Sequence, residues 1–365
     1  MIDAWTQPAI VAVLLGGVGF VALFVPILVW ESRRHGQIRV DRVIGAAMVA
    51  VFAVALLAYT LLPFPDKEWC STHRLPGRNL DPLEVVRDNL DYLREHGARR
   101  LLRSFVFLQA ALNVLLFVPF GALARRYFGI RAGWTILLGF ATSVLIEAAQ
   151  GTGAFGLLPC RYRVADIDDV ILNTLGTVIG AVAAPLLLFF VTDARATARS
   201  RGHARQVTRR RRLIGMLIDG FSFVVLPAAV LIGYRLVDTL LLGAPATSDD
   251  AGASAVATLV GFVVLLVPTL VGSGASVGQR AVWLEPEWEA RPRRALRSLC
   301  GFGGWMLVQV LASIPGLPDV LRTPLDLLSV GLAVAAVIAV LADPSARGLS
   351  YLASRARIED SREAD

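Results

Sequence analysis

The sequence predicts an all-α fold, a polytopic transmembrane helical bundle of about nine spans, each near the ~20 residues that cross hydrocarbon as a helix. Three observations predict it. The 365 residues are 55% hydrophobic and only 18% charged, with mean hydropathy +0.61, unlike a soluble globular domain. The apolar residues fall in long runs, not in the short alternating segments of a β-barrel. The runs are separated by arginine clusters, Lys67 being the only lysine.

The first run is about Pro8 to Trp30 and the second about Val40 to Leu62. The third is about Leu101 to Leu123, the fourth Ala132 to Gln150 and the fifth Val170 to Val191. The sixth, about Leu213 to Leu242, is long enough to tilt or to run past the membrane. The seventh is about Ala255 to Val271, the eighth Leu299 to Ile314 and the ninth Leu325 to Leu341. The eighth is short and rich in glycine. Met1 to Gln7 carries no positive segment, so the first run reads as a span and not as a signal peptide.

Arginine sets the expected orientation. Arg33, Arg34, Arg39 and Arg42 follow the first run, and Arg125, Arg126 and Arg131 follow the third. Eight arginines lie between Arg195 and Arg212, five between Gly274 and Arg297, and Arg347, Arg355, Arg357 and Arg362 mark the tail. All fall on one side if the N-terminus is outside and the C-terminus cytoplasmic. The intervening loop Gly243 to Ser254 has neither Arg nor Lys. The net charge of +7 is therefore read as topology and contact with anionic membrane lipids, not as a nucleic-acid surface. The arginine-rich stretch also divides the chain into residues 1–192 with five spans, a cytoplasmic linker 193–212, and residues 213–365 with four spans and a tail.

Polar residues concentrate between Glu147 and Gly180. Glu147 and Gln150 are three apart and share a helix face; Asp169 and Asn173 are four apart, and Asp166 precedes them by one turn if the helix starts early. Gly176 and Gly180 give small-xxx-small spacing for close helix approach. Asn113 lies midway through the third run. With Arg163 as a cationic partner, these residues can converge near the outer leaflet, where ionisable groups are costly and tend to be functional. Glu147, Asp166, Asp168 and Asp169 offer oxygen ligands for a divalent cation such as Mg²⁺ or Ca²⁺, although no motif names a cofactor. Arg161 and Arg163 can instead hold a phosphate or carboxylate. The third reading is a hydrogen-bond network that locks helices together. His73 and His96 fall in the preceding outer loop, and His35 and His203 on the cytoplasmic side. No Ser/His/Asp arrangement is visible, so catalysis is the weakest expectation. Cys70 and Cys160 both fall in outer loops, where an oxidising exterior permits a disulfide. Cys300 reads as an apolar packing residue.

Asn113-Val-Leu-Leu-Phe-Val-Pro-Phe-Gly121, then Glu147-x-x-Gln150, then Arg163-x-x-Asp166-x-x-Asp169-x-x-x-Asn173-x-x-Gly176 resemble the VanZ-like family over about Leu61 to Phe190. Asn79-Leu-Asp-Pro82 resembles a further element of its actinobacterial members. The resemblance implies an integral membrane protein of the bacterial envelope, tied through the family's founding member to resistance against teicoplanin, a glycopeptide. A cell-wall precursor lipid or the glycopeptide itself is then the expected partner. By family match, the positions carried over are Asn113, Glu147, Gln150, Arg163, Asp166, Asp169 and Asn173.

In the second half, Arg212 and Asp219 are seven apart and can lie on one face of the sixth run. A structural ion pair is weighed there against ion or proton handling. The pattern Arg212-Leu-Ile-Gly-Met-Leu-Ile-Asp219-Gly220, with Gly274-Ala-Ser-Val-Gly278-Gln279-Arg280, Arg293-Arg294-Ala-Leu-Arg297 and Arg347-Gly348-Leu349, resembles the RDD family, for which transport has been suggested. It departs from that family in having Ser350-Tyr351 after Arg-Gly-Leu and Gln279-Arg280 in place of the usual lysine. Trp283, Glu285, Glu287, Trp288 and Glu289 predict an amphipathic loop on the inner membrane surface or a partner surface.

Overall fold

The computed structural model describes residues 2–62, 64–65, 67–72, 78–161, 163–199, 201–241, 251–288 and 293–363. The expected residues His73 and Glu289, and most of the loop Gly243 to Ser254, lie outside these. The chain forms two compact units, one of Met1–Ile27 and Ile38–Arg199, the other of Leu28–Gln37 and Ser200–Asp365.

The helices of the first unit begin with α1 (Ile2–Ala22), followed by α2 (Phe24–His35), which passes into the second unit. The sequence predicts one span here, but the two helices are bent by 64°. Pro26 explains the break: its ring clashes with the carbonyl four residues back, that of Ala22, where α1 stops. Next come α3 (Val40–Leu61), α4 (Lys67–Thr72), strand β1 (Arg78–Asn79), α5 (Glu84–His96), α6 (Ala98–Leu101), α7 (Phe105–Arg126), α8 (Ala132–Gly156), strand β2 (Ala165–Asp166), α9 (Ile167–Leu187) and α10 (Ala194–Arg199). β1 and β2 pair in parallel, Arg78 with Ala165 and Asn79 with Asp166.

Glycine sets the spacing of α7 and α9. A Cβ on Gly176 would sit 2.1 Å from the Val114 carbonyl oxygen, one on Gly180 2.0 Å from that of Val118, and one on Gly121 2.1 Å from that of Thr177. Backbone lies against backbone, as membrane helices pack when small residues face each other. Below this seam Ala46, Leu123, Tyr127, Ala184, Leu188 and Val191 form a buried cluster. Arg42, fully buried, lies over the Tyr127 ring and donates to the carbonyls of Thr192 and Tyr127, each at 3.0 Å. An arginine that counts toward orientation thus also joins the chain ends of α7 and α9.

The second unit holds α11 (Arg209–Leu241), α12 (Ala251–Leu270), α13 (Val277–Ala281), strand β3 (Leu284–Trp288), α14 (Arg294–Leu299), α15 (Phe302–Ala312), α16 (Asp319–Ala342), α17 (Gly348–Ser354) and strand β4 (Ala356–Asp360). The ring of Pro227 in α11 has room because a Cβ at Gly261 of α12 would lie only 2.7 Å from it. Phe223, Leu265 and Met306 form this unit's buried apolar cluster. The eighth predicted span holds a single short helix, α15, set off from α14. α15 has 11 residues, about 16 Å of rise, and Gly303 and Gly304 approach Ser298 and Leu299 so closely that a side chain at either would collide with them. These glycines let the chain turn back after α14 instead of continuing it.

Among the described residues, seven helices are long and apolar enough to cross a membrane: α3, α7, α8, α9, α11, α12 and α16, with the bent α1–α2 pair as an eighth. Their outward faces are greasy, Val182 and Leu186 being each 77% exposed. The protein is an all-α polytopic membrane protein.

The predicted amphipathic loop takes another form. β3 pairs antiparallel with β4, Leu284 opposite Asp360 and Trp288 opposite Ala356. The guanidinium groups of Arg33, Arg201 and Arg362 lie 4.2, 5.6 and 5.0 Å from the Trp283 ring centre, and its indole N–H donates to the Ser32 carbonyl at 2.9 Å. Trp283 is thereby held by protein cations and the Ser32 carbonyl. The fully buried Asp360 gathers Arg211 at 2.8 Å and Arg362 at 2.5 Å.

Candidate functional site

The carboxylates and amides between Glu147 and Asn173 come together where α8 ends and α9 begins. α8 closes with Gly153, Ala154 and Phe155 all left-handed, at φ 66°, 52° and 59°. For alanine and phenylalanine this conformation costs about 1–2 kcal/mol each. The turn sends the chain into the segment that bears Cys160, which is disulfide-bonded to Cys70 with 5.7 Å between their Cα atoms. The loop containing α4 is thus covalently tied to the end of α8.

Asp166 is the N-cap of α9, not a residue within it. Its Oδ1 accepts the Asp168 N–H at 2.8 Å, satisfying one of the donors that a helix start leaves unpaired. Its Oδ2 accepts from the Asn79 amide at 3.1 Å, and its own N–H donates to Glu147 Oε2 at 2.9 Å. Asn79 also donates to Glu84 at 2.5 Å. One capping carboxylate therefore joins α8, α9 and the β1–α5 segment.

Asp168, which the sequence offers only as a cation ligand, is buried and accepts the backbone N–H groups of Leu83 at 2.6 Å and Val85 at 2.8 Å. It serves as the missing N-cap of α5, whose own cap position, Leu83, is left-handed and gives no side-chain bond. Gln150 donates to the Thr60 carbonyl at 2.7 Å and Arg163 to the Leu62 carbonyl at 2.9 Å. Both satisfy carbonyls that the end of α3 leaves without an intrahelical partner. Asn113 donates to Asp169 Oδ1, and Asn173 to Ser143 Oγ at 2.9 Å, leaving Asn173 Oδ1 buried and unbonded.

All seven family-matched positions thus lie in one bonded neighbourhood. Asp168, Asn79 and Ser143 belong to it as well. Asn79 is the only one of the three with a motif signal. Among the described residues no three His, Cys, Asp or Glu side chains converge to hold a metal. Neither Arg163 nor Glu147, Asp166, Asp168 or Asp169 makes an ion pair within 4.0 Å among the described residues. Glu147 nonetheless feels the charges of Asp169, Asp166 and Arg163.

In the second unit, Asp219 is buried and accepts from Ser276 Oγ at 2.6 Å and the Gly278 N–H at 2.7 Å. It therefore anchors the α12–α13 turn and, among the described residues, makes no ion pair within 4.0 Å with Arg212, which lies over the Tyr351 ring at 4.8 Å. Cys300 is an exposed free thiol and not a packing residue, because the chain turns back beside it.

The fold is that of a multi-pass membrane protein, with a carboxylate-rich cluster where α8 ends and α9 begins. Residues 49–189 match the model of the VanZ/LLP1 family, a stretch that holds every member of the cluster. No curated protein and no solved structure matches the chain.

Proposed function

We propose that the chain is a bacterial plasma-membrane protein that recognises a donor-bearing polar group at the outer face, on a cell-wall precursor lipid or a glycopeptide of the teicoplanin class. Glu147 and Asp169 carry this reading. Among the described residues each is drawn into the network through one oxygen, Glu147 Oε2 and Asp169 Oδ1, and on this reading the second oxygen of each serves a ligand. Such oxygens suit an ammonium, amide or hydroxyl donor. The match to the VanZ/LLP1 family model supports the envelope-resistance reading. The test is glycopeptide tolerance in cells carrying Glu147→Gln or Asp169→Asn. Loss of tolerance with unchanged membrane abundance supports the site; full tolerance in both variants overturns it.

A scaffold role is the second reading. It is favoured by Gln150, Arg163 and Asp168, whose bonds all go to backbone groups that end or begin other helices. On that reading Glu147→Gln is silent, while substitutions that separate α7 and α9 abolish the phenotype. Resemblance of the second half to the RDD family would add ion or proton transport through Asp219. Na⁺ or H⁺ flux into proteoliposomes that Asp219→Asn abolishes is the measurement for it.

A further inference from the structure

The second unit holds a half-open cavity of about 810 Å³ that the reading above does not use. Its two ends differ in chemistry. At one end stand Arg212, Asp219, Ser276, Gln279 and Arg297. Most of the remaining wall is hydrocarbon and aromatic, including Met216, Phe221, Phe302, Trp305, Leu332 and Val340, with Thr269, Ser298, Arg347 and Ser350 as its polar members.

The polar end carries an unbalanced charge. In the run Arg209 to Arg212, the first two side chains are exposed, while Arg212 is turned inward and only 6% exposed. Its Nε is buried without a partner, and its guanidinium makes no hydrogen bond among the described residues. The face of Tyr351 is its nearest support. Arg297, 4% exposed, lies 5.3 Å from the same ring. It donates to the Gly274 carbonyl and weakly to Gln279 Oε1 at 3.4 Å, and its Nε too is unbonded. Asp219 is close enough to act on both arginines, but its oxygens are occupied by Ser276 and Gly278. Arg347, also on the wall, is matched by Asp343 at 3.4 Å. Two buried arginines against one aspartate leave one positive charge unmatched, and a buried cation without a counter-charge is strongly unfavourable.

We propose that this cavity binds an anionic amphiphile, its phosphate head on Arg212 and Arg297 and its hydrocarbon tail along the α15–α16 wall. One phosphodiester carries the single negative charge that is missing, and guanidinium forks suit phosphate oxygens. The apolar wall distinguishes a lipid from a free phosphate, which would leave most of the cavity unfilled.

Cys300 lines the cavity and, with Cys70 and Cys160 joined, is the chain's one free thiol. It therefore reports occupancy. The full chain is delipidated in neutral detergent, and the rate of Cys300 alkylation by N-ethylmaleimide is followed as phosphatidylglycerol, diacylglycerol or inorganic phosphate is added. Phosphatidylglycerol is expected to slow alkylation and raise Tm, whereas diacylglycerol and inorganic phosphate do neither. Arg212→Gln is expected to raise the phosphatidylglycerol concentration for half-protection by about tenfold or more, the scale of one lost charge-assisted bond. Ala336→Phe, which narrows the apolar wall without touching the arginines, is expected to weaken lipid protection as well and serves if Arg212→Gln does not fold. Equal protection by inorganic phosphate assigns the site to the free anion, and equal protection by diacylglycerol makes it an apolar cleft; either overturns the proposal. So does phosphatidylglycerol protection that Ala336→Phe leaves unchanged.

Discussion

Asp168 Oδ1 accepts the backbone N–H of Leu83 at 2.6 Å, across 85 residues of sequence. With the Val85 N–H at 2.8 Å on its other oxygen, the α9 carboxylate acts as the cap of α5. Asp168→Ala should therefore strip both donors at once and cost about 2 kcal/mol or more. Thermal unfolding in detergent measures the loss, and amide exchange at Val85 should accelerate beyond that elsewhere in α5. Asp168→Asn, which keeps one acceptor, should fall between the two; no change in either variant would remove the cap from the account.

Gly180→Ala places a methyl group 2.0 Å from the Val118 carbonyl oxygen. In an isolated helix the same change gains about 1 kcal/mol. Here the obstacle is backbone and cannot rotate away, so overpacking at about 1–3 kcal/mol wins. Gly17 in α1 has nothing within 4 Å of its added Cβ, and Gly17→Ala should be neutral or stabilising. A Tm for Gly180→Ala at or above the native value contradicts the α7–α9 seam.

The Cys70–Cys160 bond closes a separation of 90 residues. On the chain-entropy account such a closure stabilises by about 4.6 kcal/mol. Reductant, Cys70→Ser and Cys160→Ser should then lower Tm by the same amount, and the double variant by no more than either single one. Additive losses would mean that the two thiols act separately.

Burial raises the Asp360 carboxyl, but hydrogen bonds from Arg362 and the charge of Arg211 outweigh it and hold it at about 2, below the ordinary 3.8. A carboxyl depressed by folding adds stability that is complete above its unfolded value and drains away as pH falls through its folded one. The β3–β4 pair should therefore loosen between about pH 4 and about pH 2. Amide exchange over Ala356–Asp360 follows it, and Asp360→Asn should flatten the dependence while lowering stability at neutral pH.

The class of fold and the neighbourhood of the site were legible because both depend on local pattern. Apolar runs give spans, and the three- and four-residue spacings of Glu147 with Gln150 and Asp169 with Asn173 place them on shared faces. What the pattern misses is set by partners far away in the chain. Nothing near Asp168 announces that it serves Leu83, and nothing near Trp288 that its strand partner is Ala356. Asp219 looked like a mate for Arg212 from spacing alone, yet a serine hydroxyl and a glycine N–H from the α12–α13 turn took its oxygens. The breaks after Ala22 and Leu299 do have local causes, Pro26 and the glycines of α15, but hydropathy averages over both.

The stretch Leu28–Gln37 belongs with the second unit, although Met1–Ile27 before it and Ile38–Arg199 after it belong with the first. Within that stretch Glu31 and His35 are buried against each other at 2.9 Å, and the Gly36 carbonyl accepts from Arg362 at 3.1 Å. The polypeptide is therefore laced, not strung. A gene split in the arginine-rich linker would yield an N-terminal product with a buried acid–imidazole pair stripped of its cover, and a C-terminal product in which Trp283 has lost Ser32 and Arg33 and Arg362 has lost the Gly36 carbonyl. Reassembly from two separately made halves would have to restore that exchange first.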